Sequence, residues 1–97
     1  MAPDPLEALA RCRESIDELD RRLVDLLNAR TEIAGKIGSI KQKAQMPIYE
    51  PKREEQVFEN VTSHNRGPLT AEGVKRIFER IIDEMRRVQR DGRETEG

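Results

Sequence analysis

The first part of the chain carries a seven-residue repeat of apolar side chains, in which nine of ten repeating positions are apolar. The positions are Leu9, Ile16, Leu23, Arg30 and Ile37 and, three residues further along, Cys12, Leu19, Leu26, Ile33 and Ile40. This repeat predicts one long amphipathic helix whose narrow seam, these ten positions, contacts other helices. Asp4 as N-cap and Pro5 at the first helical position mark its start, and Pro47 prevents its extension.

Two shorter helices are predicted after it. Pro51 begins the second helix, and Thr70 caps the third. Between them, the Gly67-Pro68 pair and the polar residues around it, which include His64, indicate a loop. No segment alternates with period two for long enough to form a strand, so the fold class is all-α. The predicted helices are 5–43, 51–63 and 70–90, followed by a frayed polar tail at 91–97, all in one domain of residues 1–97.

The length of the first helix bears on assembly. A helix of about 37 residues extends roughly 55 Å, whereas a compact globule of this chain length is only about 30 to 35 Å across. Two shorter helices cannot cover the whole seam, so we expect a second copy to share it in an intertwined two-fold dimer. An extended monomeric hairpin and a plain coiled-coil linker are the alternatives.

Composition removes several classes of function. The 97 residues hold 18 Lys+Arg against 19 Asp+Glu, a net charge of -1 with three aromatic residues, which disfavours nucleic-acid binding. The longest apolar run is Ala8 to Ala10, too short for a membrane span or a signal peptide. Cys12 and His64 are the only residues of their types, so neither a disulfide nor a metal site is expected. We expect a cytoplasmic protein without cofactor.

Polar residues on faces assigned to burial carry the functional signal. Arg30 occupies a seam position, Arg53 and Glu54 precede apolar residues of the second helix by four, and Gln89 extends the stripe of the third. Arg13 and Lys41 flank the seam, and Glu50 precedes the second helix. The complete set of candidate polar residues is Arg13, Arg30, Lys41, Glu50, Arg53, Glu54 and Gln89. Its four positive and two negative charges favour a dianionic ligand. Taken singly, Arg30 is better explained by register setting or an internal ion pair. Solvated side chains are a still better explanation of Arg13 and Lys41 taken singly.

The chemistry available to this set is narrow. The chain offers no Ser/His/Asp or Cys/His pairing and no glycine-rich phosphate loop. A cationic pocket that excludes water can still catalyse a unimolecular rearrangement, by holding one conformer and stabilising charge that develops in the transition state. The late cations Arg86, Arg87, Arg90 and Arg93 are interpreted as a solvated helix end near the negative pole of its dipole.

In the order and identity of these polar residues the sequence resembles the AroQ-type chorismate mutases, small all-helical enzymes of aromatic amino-acid biosynthesis. The resemblance runs from Leu9 to Gln89, with stretches 33–41, 47–55 and 76–82 similar to the family's signatures. Two positions depart from the family pattern. Glu50 stands where many relatives carry Asp, and Met85 replaces a small hydroxyl residue by a thioether that cannot donate a hydrogen bond.

The resemblance implies a domain-swapped dimer of three-helix chains that converts the dianion chorismate to prephenate by a Claisen rearrangement, without cofactor or metal. It implies that Arg13 of the partner subunit and Arg30 bind the substrate carboxylates, with Arg53 supporting the ring side. Lys41 and Gln89 would bind the ether oxygen, and Glu54 and Glu50 would face the ring hydroxyl. The ring would lie against Ile37 and Ile82, with Met85 as a core or wall residue.

Gly35 and Gly38 in the first helix are each about 1 kcal/mol less favourable than Ala there, which a close helix approach beside the pocket would explain. Other functions remain open at this point. An isochorismate pyruvate lyase would share the fold and the cationic pocket. A non-catalytic helical dimer could regulate a partner, as a module fused to or bound to another aromatic-pathway enzyme. A scaffold without ligand leaves Arg30 and Gln89 unexplained.

Overall fold

A computed structural model describes residues 4–96, with side chains for residues 4–92. Within that part of the chain there are three α-helices and no strand, which confirms the all-α prediction. The helices are α1 (Pro5–Lys43), α2 (Pro51–His64) and α3 (Ala71–Glu96). None of these helices has the length and hydropathy needed to cross a membrane.

Three helix bounds differ from the prediction. Predicted to begin at residue 70, α3 begins at Ala71, directly after its cap Thr70. His64, predicted in the loop, is the last residue of α2, a one-residue difference within the usual fraying of helix termini. Residues 91–96, predicted as a frayed tail, continue α3 as far as Glu96. Arg93, Glu94 and Glu96 in this segment are good helix formers, whereas Gly92 is not. Gly97 lies outside the described residues.

Side chains and prolines mark the helix starts. The Leu6 amide donates to Asp4 Oδ1 at 3.0 Å, and the Gly73 amide donates to Thr70 Oγ1 at 2.9 Å. Each cap satisfies an amide that has no partner within its helix. Pro51 occupies the first turn of α2, where the missing N–H has no cost.

The end of α1 is closed by a Schellman turn. Gln45 adopts φ 59°, the Met46 amide donates to Lys41 O at 2.8 Å, and the Gln45 amide donates to Gln42 O at 3.2 Å. This pair of bonds satisfies carbonyls that the helix end leaves open. The turn directs the connector, residues 44–50, back beside the last turn of α1.

Contacts divide the chain into two compact units, Met1–Glu32 and Ile33–Gly97. The first consists of α1 residues, and its large apolar side chains are exposed. The second contains the end of α1 together with α2 and α3, which pack against each other. Its buried apolar residues are Ala34, Val57, Val74, Ile82 and Met85. A single domain of residues 1–97 stays a prediction.

In the second unit, α1 is buried along a face beside the apolar seam. The buried residues are Ala34, Gly38 and Lys41, spaced by four and three. The seam residues of the same turns, Ile33, Ile37 and Ile40, remain exposed. The end of α1 therefore presents two stripes, a narrow one of small and polar residues that is covered and an apolar one that is not.

Candidate active site

Lys41 is the centre of the buried polar cluster. Lys41 is 6% exposed. Its Nζ lies 2.7 Å from Glu50 Oε1, and it donates to Ile48 O at 2.8 Å and to Gln89 Oε1 at 3.3 Å. These three acceptors match the three donors of an ammonium group. Since Glu50 forms no side-chain cap bond to α2, its carboxylate is available to this pair.

Gln89 receives its orientation from Lys41. An ammonium can only donate, so the Lys41 contact requires the amide oxygen of Gln89, which is itself 9% exposed. The amide NH2 group then points away from Lys41 as a fixed donor. The charged Lys41 ammonium on α1 and the neutral Gln89 amide on α3 are thus held side by side as hydrogen-bond donors.

Gly38 allows α1 and α3 to approach at this point. A Cβ at Gly38 would lie 3.2 Å from Gln89 Cγ and 3.3 Å from Gln89 Cα. A Cβ at Gly35 would meet nothing within 4 Å among the described residues. The close-approach explanation is therefore confirmed for Gly38 and finds no support in this chain for Gly35.

A second polar pair lies between α2 and α3. Arg86 Nε is 3.1 Å from Glu54 Oε2, and Arg86 Nη2 donates to Glu54 Oε1 at 3.3 Å and to Asp83 Oδ1 at 3.0 Å. The guanidinium lies 5.6 Å from the centroid of the Tyr49 ring. Interpreting Arg86 as a solvated helix end was wrong, because its side chain is only 31% exposed and paired with a predicted site residue.

This pair adjoins the Lys41 cluster along α3. Ile82 and Arg86 are one turn apart, and Arg86 and Gln89 are separated by three residues, so the three lie on neighbouring turns of one helix side. Ile82 and Met85 are buried, in keeping with Met85 as a core or wall residue. The groove beside Glu54 is also lined by Phe58, Ile82 and Arg86.

Other predicted site residues lie outside these two clusters. Arg53 is exposed, and its Nη1 donates along α2 to Gln56 Oε1 at 3.4 Å. Ile37 is exposed on the seam. Arg13 and Arg30 belong to the first unit, where Arg13 is exposed and Arg30 is partly buried. Their approach to the Lys41 cluster stays a prediction.

The arrangement defines a class of site. Among the described residues, no three His, Cys, Asp or Glu side chains form a group that could hold a metal ion. The two clusters instead offer preorganised donors, a buried ammonium and an oriented amide, next to two carboxylates. Such a site suits electrostatic stabilisation of an oxygen that gains negative charge.

Comparison with known proteins defines the family. The family model for chorismate mutase type II matches residues 12–90. A chorismate mutase from Helicobacter pylori, solved in complex with prephenate, superimposes with a TM-score of 0.85 at 34% identity, covering 91% of this chain and 96% of that one. The chain belongs to the chorismate mutase type II family, as its resemblance implied.

Two relatives illustrate how the family occurs. The bifunctional chorismate mutase/prephenate dehydratase of Aquifex aeolicus is 37% identical in an alignment of 81 residues that covers 79% of this chain and 22% of that protein. The chorismate mutase of Methanocaldococcus jannaschii is 27% identical over 86 residues, 88% of this chain and 87% of that protein. The chain spans about a fifth of the length of the bifunctional relatives it matches.

Proposed function

We propose that this chain catalyses the rearrangement of chorismate to prephenate. The observation that carries the proposal is the buried Lys41 ammonium, 3.3 Å from Gln89 Oε1, with family membership over residues 12–90. In this reaction the ether C–O bond breaks as a C–C bond forms within the same molecule. No proton, electron or group passes to the protein, so the lack of an acid-base pair in the site is no obstacle.

Lys41 and Gln89 act on the ether oxygen. Negative charge grows on that oxygen as the C–O bond lengthens, so a buried ammonium and an amide donor bind the transition state more strongly than the ground state. Lys41 exchanges one of its present acceptors for the ether oxygen. Gln89 contributes its NH2 group, the side of the amide that Lys41 leaves available.

The remaining predicted residues bind and enclose the dianion. Arg30, Arg53 and the partner's Arg13 bind the two carboxylates, and Glu50 and Glu54 face the ring hydroxyl. The ring lies against Ile37, Ile82 and Met85. Met85 cannot donate a hydrogen bond, as the small hydroxyl residue of the family pattern could, so we expect weaker substrate affinity.

The working form is an intertwined homodimer. Leucine and isoleucine side chains along the seam are exposed in the single chain, Leu26 and Ile40 among them. Covering such a side chain contributes about 1.5 to 3 kcal/mol, so a row of them supplies a strong drive for association. A second copy offers a matching row under two-fold symmetry.

The setting of the reaction is aromatic amino-acid biosynthesis in the cytoplasm. The bifunctional relatives show that the fold occurs joined to a prephenate dehydratase in those proteins. The chain can act alone or beside another enzyme of the same pathway. Prephenate released here would be the substrate of that partner.

Turnover of the purified chain tests the proposal. The protein is incubated separately with chorismate and with isochorismate, and the products are separated by chromatography. We expect prephenate from chorismate and no turnover of isochorismate. Salicylate and pyruvate from isochorismate, without prephenate, would instead identify a lyase. A folded dimer that turns over neither compound would identify a non-catalytic regulatory module.

A further inference from the structure

Glu54 has a half-buried carboxylate that pairs with Arg86. Its side chain is 19% exposed, and each carboxylate oxygen lies within 3.3 Å of the Arg86 guanidinium. A carboxylate removed from water to this extent is unfavourable unless it is paired. The contact from Arg86 Nη2 to Oε1 is a hydrogen bond, and the contact from Nε to Oε2 is an ion-pair contact without hydrogen-bond geometry. Together these contacts to separate oxygens restrict rotation of the carboxylate about its last bond.

Arg86 is itself held from two other directions. Asp83, one turn earlier on α3, accepts from Nη2 at 3.0 Å, and the Tyr49 ring lies 5.6 Å from the guanidinium. Tyr49 is the connector residue between Ile48 and Glu50, both of which bind Lys41 Nζ. Arg86 therefore links the α2 carboxylate to the connector that surrounds the catalytic ammonium.

The charges around Arg86 argue against direct binding of substrate by this residue. Two carboxylates, Glu54 and Asp83, contact one guanidinium, so the cluster carries no surplus positive charge for an anionic substrate. The arrangement instead fixes the direction of the Glu54 oxygens.

We propose that Arg86 is a positioning residue that holds the Glu54 carboxylate in one orientation for the substrate hydroxyl. This role rests on the proposed mutase function. Neither the heptad repeat nor the resemblance assigns a role to Arg86. Its effect on turnover passes through Glu54, which makes the inference separable from a general role in packing.

Two substitutions at Arg86 test the inference. Arg86→Met keeps the unbranched apolar stem and removes the charge, and Arg86→Lys keeps the charge but not the paired contact to both oxygens. We expect kcat with chorismate to fall about 10- to 30-fold for Met and about 3-fold for Lys, with KM changed less than 3-fold. Arg87→Met is the matched control, because Arg87 is exposed and its contact with Glu84 is long, at 4.0 Å. This variant should keep the activity of the unsubstituted chain.

A double-mutant cycle separates positioning from packing. In a Glu54→Gln background, Arg86→Met should lower kcat less than 2-fold further, because its target is already changed. Independent, multiplying losses would overturn the inference, as would equal activity of Arg86→Met and the unsubstituted chain. A loss in kcat matched by a proportional rise in KM and a lower melting temperature would indicate packing instead. If the unsubstituted chain makes no prephenate, both proposals fall.

Discussion

A buried ammonium needs acceptors for all three of its hydrogens, and Lys41 finds them on two other segments of the chain. Ile48 O and Glu50 belong to the connector, and Gln89 belongs to α3. Because these acceptors are fixed by the fold, the ammonium is aligned before substrate arrives. Catalysis by such a group depends on its position more than on its charge alone.

Removal of this donor should therefore have a large effect on rate. We expect Lys41→Ala to lower kcat by about 100- to 1000-fold, the usual effect of deleting one donor to developing negative charge. Lys43→Ala, on the exposed side of the same helix end, serves as control and should retain activity. Steady-state kinetics with circular dichroism to verify folding provide the measurement, and near-normal turnover of Lys41→Ala would remove Lys41 from the mechanism.

Replacement of Gln89 by Glu should make turnover depend on pH, with higher activity at low pH. A carboxylate at this position accepts from Lys41 but offers no hydrogen to the ether oxygen, and it repels the growing charge. Protonation restores a donor, so turnover by Gln89→Glu should increase as pH is lowered. The unsubstituted chain should not show that increase, and a flat pH profile for Gln89→Glu would contradict the position proposed for Gln89.

At the scale of helices, the sequence predicts where each helix begins better than it predicts which helix face is covered. Asp4, Pro51 and Thr70 carry recognisable capping chemistry, so the beginnings of α1, α2 and α3 follow from residue type. The covered face of α1 does not, because Ala34, Gly38 and Lys41 give no apolar signal. Arg86 escaped prediction for a related reason, since a charged residue beside an apolar stripe is usually solvated.

The approach of α1 to α3 gives a prediction at this scale. Gly35→Ala should raise the free energy of unfolding by up to about 1 kcal/mol, through helix propensity alone. Gly38→Ala should lose that gain and lower kcat about 10-fold, because its Cβ meets Gln89 at 3.2 to 3.3 Å and displaces the amide. Urea denaturation and chorismate kinetics on both variants check this, and identical behaviour of the pair would refute it.

For the whole molecule, the apolar seam is the feature that the sequence predicts best. The heptad repeat indicates that the seam is apolar, and the structure leaves it exposed in the single chain. Arg13 is predicted to act from the partner subunit, and Arg30 belongs to the first unit of its own chain, so the roles of both remain predictions. Lys41 already contacts Glu50 and Gln89 within one chain.

Subunit complementation tests a site shared between two chains. Arg13→Ala and Lys41→Ala chains should each be nearly inactive, yet after unfolding and refolding together they should recover about a quarter of unsubstituted activity, since random pairing restores one site in half of the dimers. Sedimentation should give twice the 11.2 kDa chain mass.

A mixture of Lys41→Ala and Gln89→Ala chains is the control for this experiment. Both residues serve the same site from the same chain, so random pairing leaves every site damaged and no activity should return. Recovery in the control, or none in the Arg13 mixture, would contradict the assignment of Arg13 to the site of the partner subunit.

Lys41 holds the connector at two points. Its main-chain oxygen accepts from the Met46 amide, and its ammonium donates to Ile48 O two residues later. Opening of this short segment would release the ammonium while the three helices stayed intact. Thermal inactivation of the enzyme should therefore precede its loss of ellipticity, and amide exchange at Met46 should report the lifetime of the competent state more faithfully than the melting temperature.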